Sequence, residues 1–363
     1  MYDTILTDFQ RLDGEIDDSA RIQRAIDATP NGILCIPKGD YTLAKPLFIK
    51  NRCSLDMHPA ARLIATEEME FVLTYDGNAN FHELTLYNDD GTIYDNLGLF
   101  IRGGDIDGNG KASCLLLANA HHYTISNIAL HNGKRFGLCV GGSLKGRLYE
   151  LVATNVYCKC TMSGLKGNIG IYTNECDGHY TDCFVIDYTT GVKLDGSANR
   201  FTRCHIWGGT VPPEGKSFRE WSEFYGNNKI ALNSGKYDEE TEKSIFAYGI
   251  PEMLLNSIAF EINMGMNVID GCFADTSTIG YLVRCGGNII TNSGFYNNKL
   301  MGIRNTVGIK NEAKDLVVSN SFFSNSTGTD IIYEGKRESV TWVNNSVDED
   351  AVFGSYFADK INE

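Results

Sequence analysis

Short stretches of alternating apolar and polar residues run along most of this chain, each closed by Asn, Asp or Gly. Eight of them superpose: TISNIAL, VATNVYC, HYTDCFV, RFTRCHI, NVIDGCF, IITNSGF, VVSNSFF and TWVNNSV. Their anchors are Asn127, Asn155, Asp182, Arg203, Asp270, Asn292, Asn320 and Asn344. In most, the residue two before the anchor is apolar, as at Ile125, Phe201, Val268, Ile290 and Val318. The residue three after it is apolar too, as at Val185, Ile206, Phe273, Phe295 and Phe323. Most neighbouring anchors stand about 20 to 28 residues apart, the period of a repeat architecture. Between Arg203 and Asp270 the pattern is interrupted.

Strands this short cannot bury their own inner faces, so the coils must stack, share one core and pair in parallel about 4.8 Å apart. The anchor is then a tight turn, where Asn or Asp accepts a left-handed backbone. Cys183 and Cys204 fall one residue past it, where Ser293 and Ser321 also fall, which predicts a stack of small side chains. The expected architecture is all-β: a single parallel β-helix over residues 1–363. Residues 1–60 form a cap and the first coils, 208–245 an insertion, and 351–363 a C-terminal tail. At the start, Ser19 is placed to cap a helix through Ala28 with Ile22, Ala25 and Ile26 on one face, covering the first open coil.

Composition sharpens this picture. The chain has 38 Gly and only 7 Pro, and none of the Pro falls within 60–211 or 252–363. Turns rich in Gly and Asn, with strands that keep every N–H, fit stacked coils. A net charge of −14 argues against a nucleic-acid partner, which rewards basic surfaces. No apolar run is long enough to span a bilayer, so no membrane partner is expected. Eleven Cys without framework spacing, and no signal-peptide layout at the start, lead to the expectation of reduced thiols in a cytoplasm. Cys158 and Cys160 are too close for ordinary zinc spacing, so no metal and no other cofactor is expected.

Two motifs carry a family resemblance. Asp17-Asp18-Ser19-Ala20 with its helix leads into Gly32-Ile33-Leu34-Cys35-Ile36-Pro37, Gly39 and Tyr41, and resembles the N-terminal part of the pectate lyase superfamily. Gly103-Gly104-Asp105-Ile106-Asp107-Gly108-Asn109-Gly110 is similar to a turn common in polygalacturonase-like chains. The resemblance implies a right-handed parallel β-helix. It also implies an oligosaccharide or polysaccharide substrate, in a groove along one sheet. A homotrimer is a form found among such chains, and the insertion 208–245 is expected either to roof the groove or to pack on a neighbouring subunit. The Asn-Thr-Asp, Asp-Asp, Gly-His-Gly and Arg-Ile-Lys signatures of polygalacturonases are not intact. Their nearest echoes are Tyr172-Thr173-Asn174-Glu175, Ile186-Asp187-Tyr188 and His205-Ile206-Trp207. An inulin-fructotransferase-like transglycosylase is a further relative in kind.

The groove sheet is expected at 137–140, 170–173, 191–194, 259–262 and 279–284. Alternation turns Leu138, Ile171, Val192 and Phe260 inward and Cys139, Tyr172, Lys193 and Glu261 outward. Glycoside hydrolysis needs two carboxyl groups, about 5–5.5 Å apart for retention or 6.5–9.5 Å for inversion, and neighbouring coils supply either. Two of Asp187, Asp195 and Glu261 are expected to form that pair, with Lys193 holding one of them ionised. Each Asp has a rival role as a turn cap. His205 is a candidate proton carrier, Tyr172, Trp207 and Trp221 are candidate sugar platforms, Asp177 is a binding candidate, and Glu220 and Glu223 are reserve acids. A lyase or epimerase of uronates would instead need a base, such as Lys193 or Tyr172, and a cation such as Arg284. A non-catalytic, tailspike-like binding protein would show aromatics without convergent carboxyls.

Overall fold

The computed structural model describes residues 2–76, 98–118, 122–141, 150–224, 227, 240, 243, 248, 256–296, 306–323 and 331–347. The tail at 351–363 and most of 225–245 lie outside the described residues. The chain divides into two compact units, 1–159 with 170–184 and 160–169 with 185–363. Both are built of short parallel strands, three to a coil.

In the first unit, Leu47–Ile49, Phe71–Asp76, Ser113–Ala118 and Phe136–Val140 lie side by side. Leu47, Leu73, Leu115 and Leu138 are in register and form one wholly buried column. Ile49, Tyr75, Leu117 and Val140 form the next. The strands Thr124–His131 and Val152–Lys159 close the coil, pairing Ile125 with Ala153, Ile128 with Val156 and Leu130 with Cys158. Each such column removes a continuous apolar stripe from water, which is what holds a solenoid together.

The second unit repeats the plan. Thr190–Leu194, Ile258–Ile262, Ile279–Val283, Val307–Asn311 and Ile331–Glu334 pair in parallel. Val192, Phe260, Tyr281, Ile309 and Tyr333 are in register and buried, with Phe260 and Tyr281 stacked at 5.3 Å. Gly191 and Gly280 stand where a Cβ would come within 2.1 Å of Ile206 and 2.4 Å of Phe295, so only glycine lets the adjoining sheets close on one another.

The predicted turns are left-handed. Asn127, Asn155, Asp182, Arg203, Asn292, Asn320 and Asn344 all have φ between 49° and 53°. The eighth is displaced by one residue. Gly271, not Asp270, takes the positive φ, at 62°, and Ile269 and Ala274, not Val268 and Phe273, point into the core. A Gly beside an Asp takes the left-handed turn at no steric cost, and two adjacent apolar residues, Val268 and Ile269, left the inward position open to either.

The small-residue stack is a hydrogen-bonded ladder. Cys204 N–H donates to Cys272 Sγ at 3.4 Å, Cys272 N–H to Ser293 Oγ at 3.1 Å, and Ser293 N–H to Ser321 Oγ at 3.2 Å. Ser321 N–H then donates to Asn345 Oδ1 at 2.9 Å. A second ladder at another corner runs from Asn199 N–H to Asn267 Oδ1 and from Asn267 N–H to Asn288 Oδ1, both at 2.9 Å. These side chains satisfy buried turn N–H groups that no strand reaches.

The cap helix spans Ser19–Asp27 and buries Ile22, Ala25 and Ile26 as predicted. Its N-terminal contact differs from expectation: Asp17 Oδ1 accepts from Ser19 N–H at 2.7 Å, while Ser19 Oγ accepts from Lys45 N–H at 3.0 Å. Gln23 on this helix reaches the open edge of the sheet. Its amide oxygen accepts from Phe48 N–H and its amide nitrogen donates to Phe48 O, both at 2.8 Å. One side chain thus stands in for the missing neighbouring strand. No helix among the described residues is long and apolar enough to cross a membrane.

Candidate functional site

Alternation along Thr190–Leu194 turns Val192 and Leu194 inward and Lys193 outward. The next strand presents Glu261 in register with Lys193. Lys193 Nζ lies 3.3 Å from Glu261 Oε1, which Arg284 Nη1 also contacts from the coil beyond. Glu261 is only 7% exposed, so its charge is met by two cations rather than by bulk water.

One residue past the paired strand ends comes a second row: Asp195, Asn263, Arg284 and Glu312. Asn263 is its hub. Its Nδ2 donates to Asp195 Oδ1 at 2.6 Å and contacts Glu261 Oε1 at 3.3 Å, and its Oδ1 accepts from Arg284 Nη1 at 3.1 Å. Arg284 Nε lies 3.3 Å from Glu312 Oε2. A single amide nitrogen therefore holds carboxylates from two adjacent coils within reach of one another. Three carboxylates face two cations here, so no positive charge is left over for an anionic ligand.

Several of the other predicted residues are placed elsewhere. Asp187 is fully buried in a left-handed turn with φ 59°. It accepts from Gly209 N–H at 2.6 Å, from Thr210 N–H at 3.1 Å and from the Thr210 hydroxyl. It is the anchor of the chain entering the insertion, and its carboxylate is committed to backbone, the rival role foreseen for it. Trp221 is buried as well, donating from Nε1 to Gly209 O at 3.3 Å and stacking with Phe224 at 6.1 Å and Tyr248 at 5.8 Å. Glu220 caps the helical turn that carries Trp221, accepting from the Ser217 N–H and hydroxyl at 2.7 Å, and these bonds lower its pKa. Glu223 pairs with Arg219 at 2.9 Å on the surface.

His205 and Trp207 lie on a different sheet of the same unit, 6.1 Å apart, with Asp275 Oδ2 3.7 Å from His205 Nε2. Tyr172 belongs to the first unit, where its ring lies 5.3 Å from Phe136, and Asp177 is an exposed left-handed turn residue of that unit. Of the twelve residues singled out, contacts on the sheet face join Lys193, Asp195, Glu261 and Arg284. Sequence reasoning missed the hub role of Asn263, and it missed Glu312 and Asp275. The first two follow Ile262 and Asn311 as Asp195 follows Leu194, a signal visible once the strands are set in register.

A further ionic network occupies the first unit. Arg62 contacts Asp105 at 3.3 Å and Asp107 at 3.1 Å, and His131 Nδ1 lies 2.8 Å from Asp105 Oδ1. Asp107 also accepts from Asn109 N–H at 2.8 Å, the turn role expected of it. Among the described residues, no group of three or more His, Cys, Asp or Glu is arranged to hold a metal ion.

No family model matches the sequence, and no curated protein sequence matches it significantly. Solved structures do match. An ORF18 protein of Geobacillus virus E2 superposes with a TM-score of 0.58 at 14% identity, over 94% of this chain and 59% of its own. The chain thus spans less than two thirds of that protein. The A-module of a mannuronan C-5 epimerase from Azotobacter vinelandii gives 0.57 at 12% identity, over 95% of both chains. An endo-xylogalacturonan hydrolase from Aspergillus tubingensis gives 0.57 at 12% identity, over 93% of this chain and 91% of its own. The class defined by these matches is the right-handed parallel β-helix, the fold of the pectate lyase superfamily that the sequence resembles.

Proposed function

We propose that the protein is a carbohydrate-active enzyme, a glycoside hydrolase or transglycosylase whose carboxyl pair is Asp195 and Glu261. The observation that carries this reading is the bridge: Asn263 Nδ2 contacts both carboxylates across two coils. With contacts of 2.6 and 3.3 Å to one nitrogen, the two bridged oxygens stand less than about 6 Å apart, near the separation of roughly 5–5.5 Å that retaining cleavage uses. Glu261, faced by Lys193 and Arg284, is the partner that attacks the anomeric carbon or activates water. Asp195, whose contact is a neutral amide, carries the proton to the leaving oxygen. The sugar-active β-helix proteins among the structural neighbours support a carbohydrate substrate.

A neutral glycan suits the site better than a uronate. Lysine and arginine, which would meet a uronate carboxylate, are already engaged with Glu261 and Glu312. The test is incubation with a panel of neutral and uronate oligosaccharides, following reducing ends beside the ultraviolet absorbance of unsaturated uronates. New reducing ends that vanish in both Asp195→Asn and Glu261→Gln are the expected result. Absorbance without hydrolysis would mark a lyase, and hydrolysis retained in either variant would remove the pair from the mechanism.

A further inference from the structure

The strand His205–Trp207 alternates around Ile206, whose side chain is buried, so both aromatic rings face outward. Their planes are 24° apart and their centroids 6.1 Å apart, so the two rings run nearly parallel. On the next coil Phe273 is in register with His205 and meets it edge-on at 5.4 Å. Beyond it Gly294 is in register with Phe273, and a Cβ there would come within 2.6 Å of the Phe273 ring. The missing side chain at Gly294 leaves room for the Phe273 ring beside His205.

Asp275 stands on that same coil, one step past the Ile206–Ala274 pair and so beside Trp207. Its side chain is 10% exposed, with Oδ2 3.7 Å from His205 Nε2 and Oδ1 bonded by the Thr276 hydroxyl. The carboxylate is therefore held in place at the rim of the rings. Trp207 is fixed from behind. Its carbonyl accepts from Asp187 N–H at 3.0 Å, and the Asp187 carboxylate holds Gly209 and Thr210 immediately after it. Pre-set groups of this kind bind without the cost of ordering them.

We propose that His205, Trp207 and Asp275 form a second saccharide-binding subsite, on a different sheet from Asp195 and Glu261, that takes an uncharged sugar ring. The C–H face of a pyranose or furanose lies on the Trp207 ring, and its hydroxyls donate to the carboxylate; an aromatic face with one oriented polar group fixes both position and orientation. A carboxylate beside the rings repels a uronate or a phosphate, which leaves neutral sugars as the fitting class. The subsite has no step in the cleavage proposed above and stands whether or not that proposal does.

The full chain is titrated with linear neutral gluco-, manno-, xylo- and fructo-oligosaccharides, following tryptophan fluorescence and the heat of binding. At least one series is expected to change the fluorescence saturably. Trp207→Ala is expected to abolish that change, and Asp275→Asn to weaken affinity about tenfold, a single strong hydrogen bond's worth. The same titration of Glu261→Gln protein is expected to match the wild type, which separates this subsite from the carboxyl pair. Should Trp207→Ala lose its fold by circular dichroism, Trp207→Phe takes its place, with a smaller ring and an affinity at least threefold weaker. The proposal is overturned if no series binds, if binding persists unchanged in the Trp207 variants, or if Glu261→Gln abolishes it.

Discussion

The outward row of the sheet in the first unit reads Phe48, Thr74, Leu116 and Cys139. The equivalent row in the second reads Lys193, Glu261, Leu282, Lys310 and Glu334. Each row stands on a parallel ladder, over an apolar inner column. In the first, Phe48 at the edge strand is exposed, but Thr74 and Leu116 are 8% exposed and Cys139 only 2%, so these three outward side chains are covered. In the second, a cation meets a carboxylate on either side of Leu282, Lys193 with Glu261 and Lys310 with Glu334, each at 3.3 Å. The inner column decides the fold. The outer row is free of that duty, and its chemistry differs where its task differs.

The sharpest way to break the comparison is to exchange chemistry between the rows. Glu261→Gln is expected to lower turnover on a cleaved glycan by roughly 10²–10⁴-fold with an unchanged melting temperature, the loss typical of an acid–base group. Cys139→Ser in the first unit is expected to leave turnover alone. Hydrolysis rates beside thermal melts check both, and a turnover loss in Cys139→Ser would move the site to the other row.

Next in size is stability. Leu116→Asp puts a charge where side chains are buried and is expected to cost about 3 kcal/mol or more. Lys310→Leu removes a half-exposed pair and is expected to stay within about 1 kcal/mol. Urea titration of the two variants gives the difference, and equal losses would dissolve the distinction between the rows. Asp187→Ala extends the argument to the corner of the second unit. It strands two backbone N–H groups and is expected to cost about 2–4 kcal/mol, with any loss of turnover following the melting temperature rather than exceeding it.

The smallest effect at neutral pH concerns Cys139. Burial pushes its thiol up from 9.0 to about 12, and Cys53 is raised in the same way. A folded-state value above the unfolded one means the folded protein holds the proton longer. The associated stability is present below pH 9 and is lost as pH rises toward 12. Melting temperatures are expected to be flat from neutrality to pH 9 and to fall above it, and a thiol reagent at neutral pH should leave Cys139 unmodified in the folded protein.

Much of this was legible in the sequence because a solenoid writes its rules locally. The left-handed anchors, the small-residue slot and the inward positions Ile171, Val192 and Phe260 depend on neighbours a few residues away. The slip at Asp270 arose where that local grammar was ambiguous, with two turn formers and two apolar residues side by side. The site was harder to read because it depends on register across the insertion. Lys193 meets Glu261, and Asp195 meets Asn263, only once the chain between them has been set aside. Asp187 and Asp195 bracket one strand in sequence, yet one turns into the corner and the other onto the face. His205 and Trp207 were grouped with the face for the same reason, since a sequence does not say which side of the coil a strand will occupy.

Gln23 has a consequence beyond its two hydrogen bonds. A stacked coil is an open-ended polymerisation template, because each added strand finds the same donors and acceptors as the last. One amide, presented by a helix that cannot itself propagate, terminates that series at Phe48. The stacking at this sheet edge is therefore closed by a side chain rather than left bare. Withdrawing the amide, as in Gln23→Ala, turns a terminus into a growth point, and light scattering would register it as end-to-end association before any loss of secondary structure.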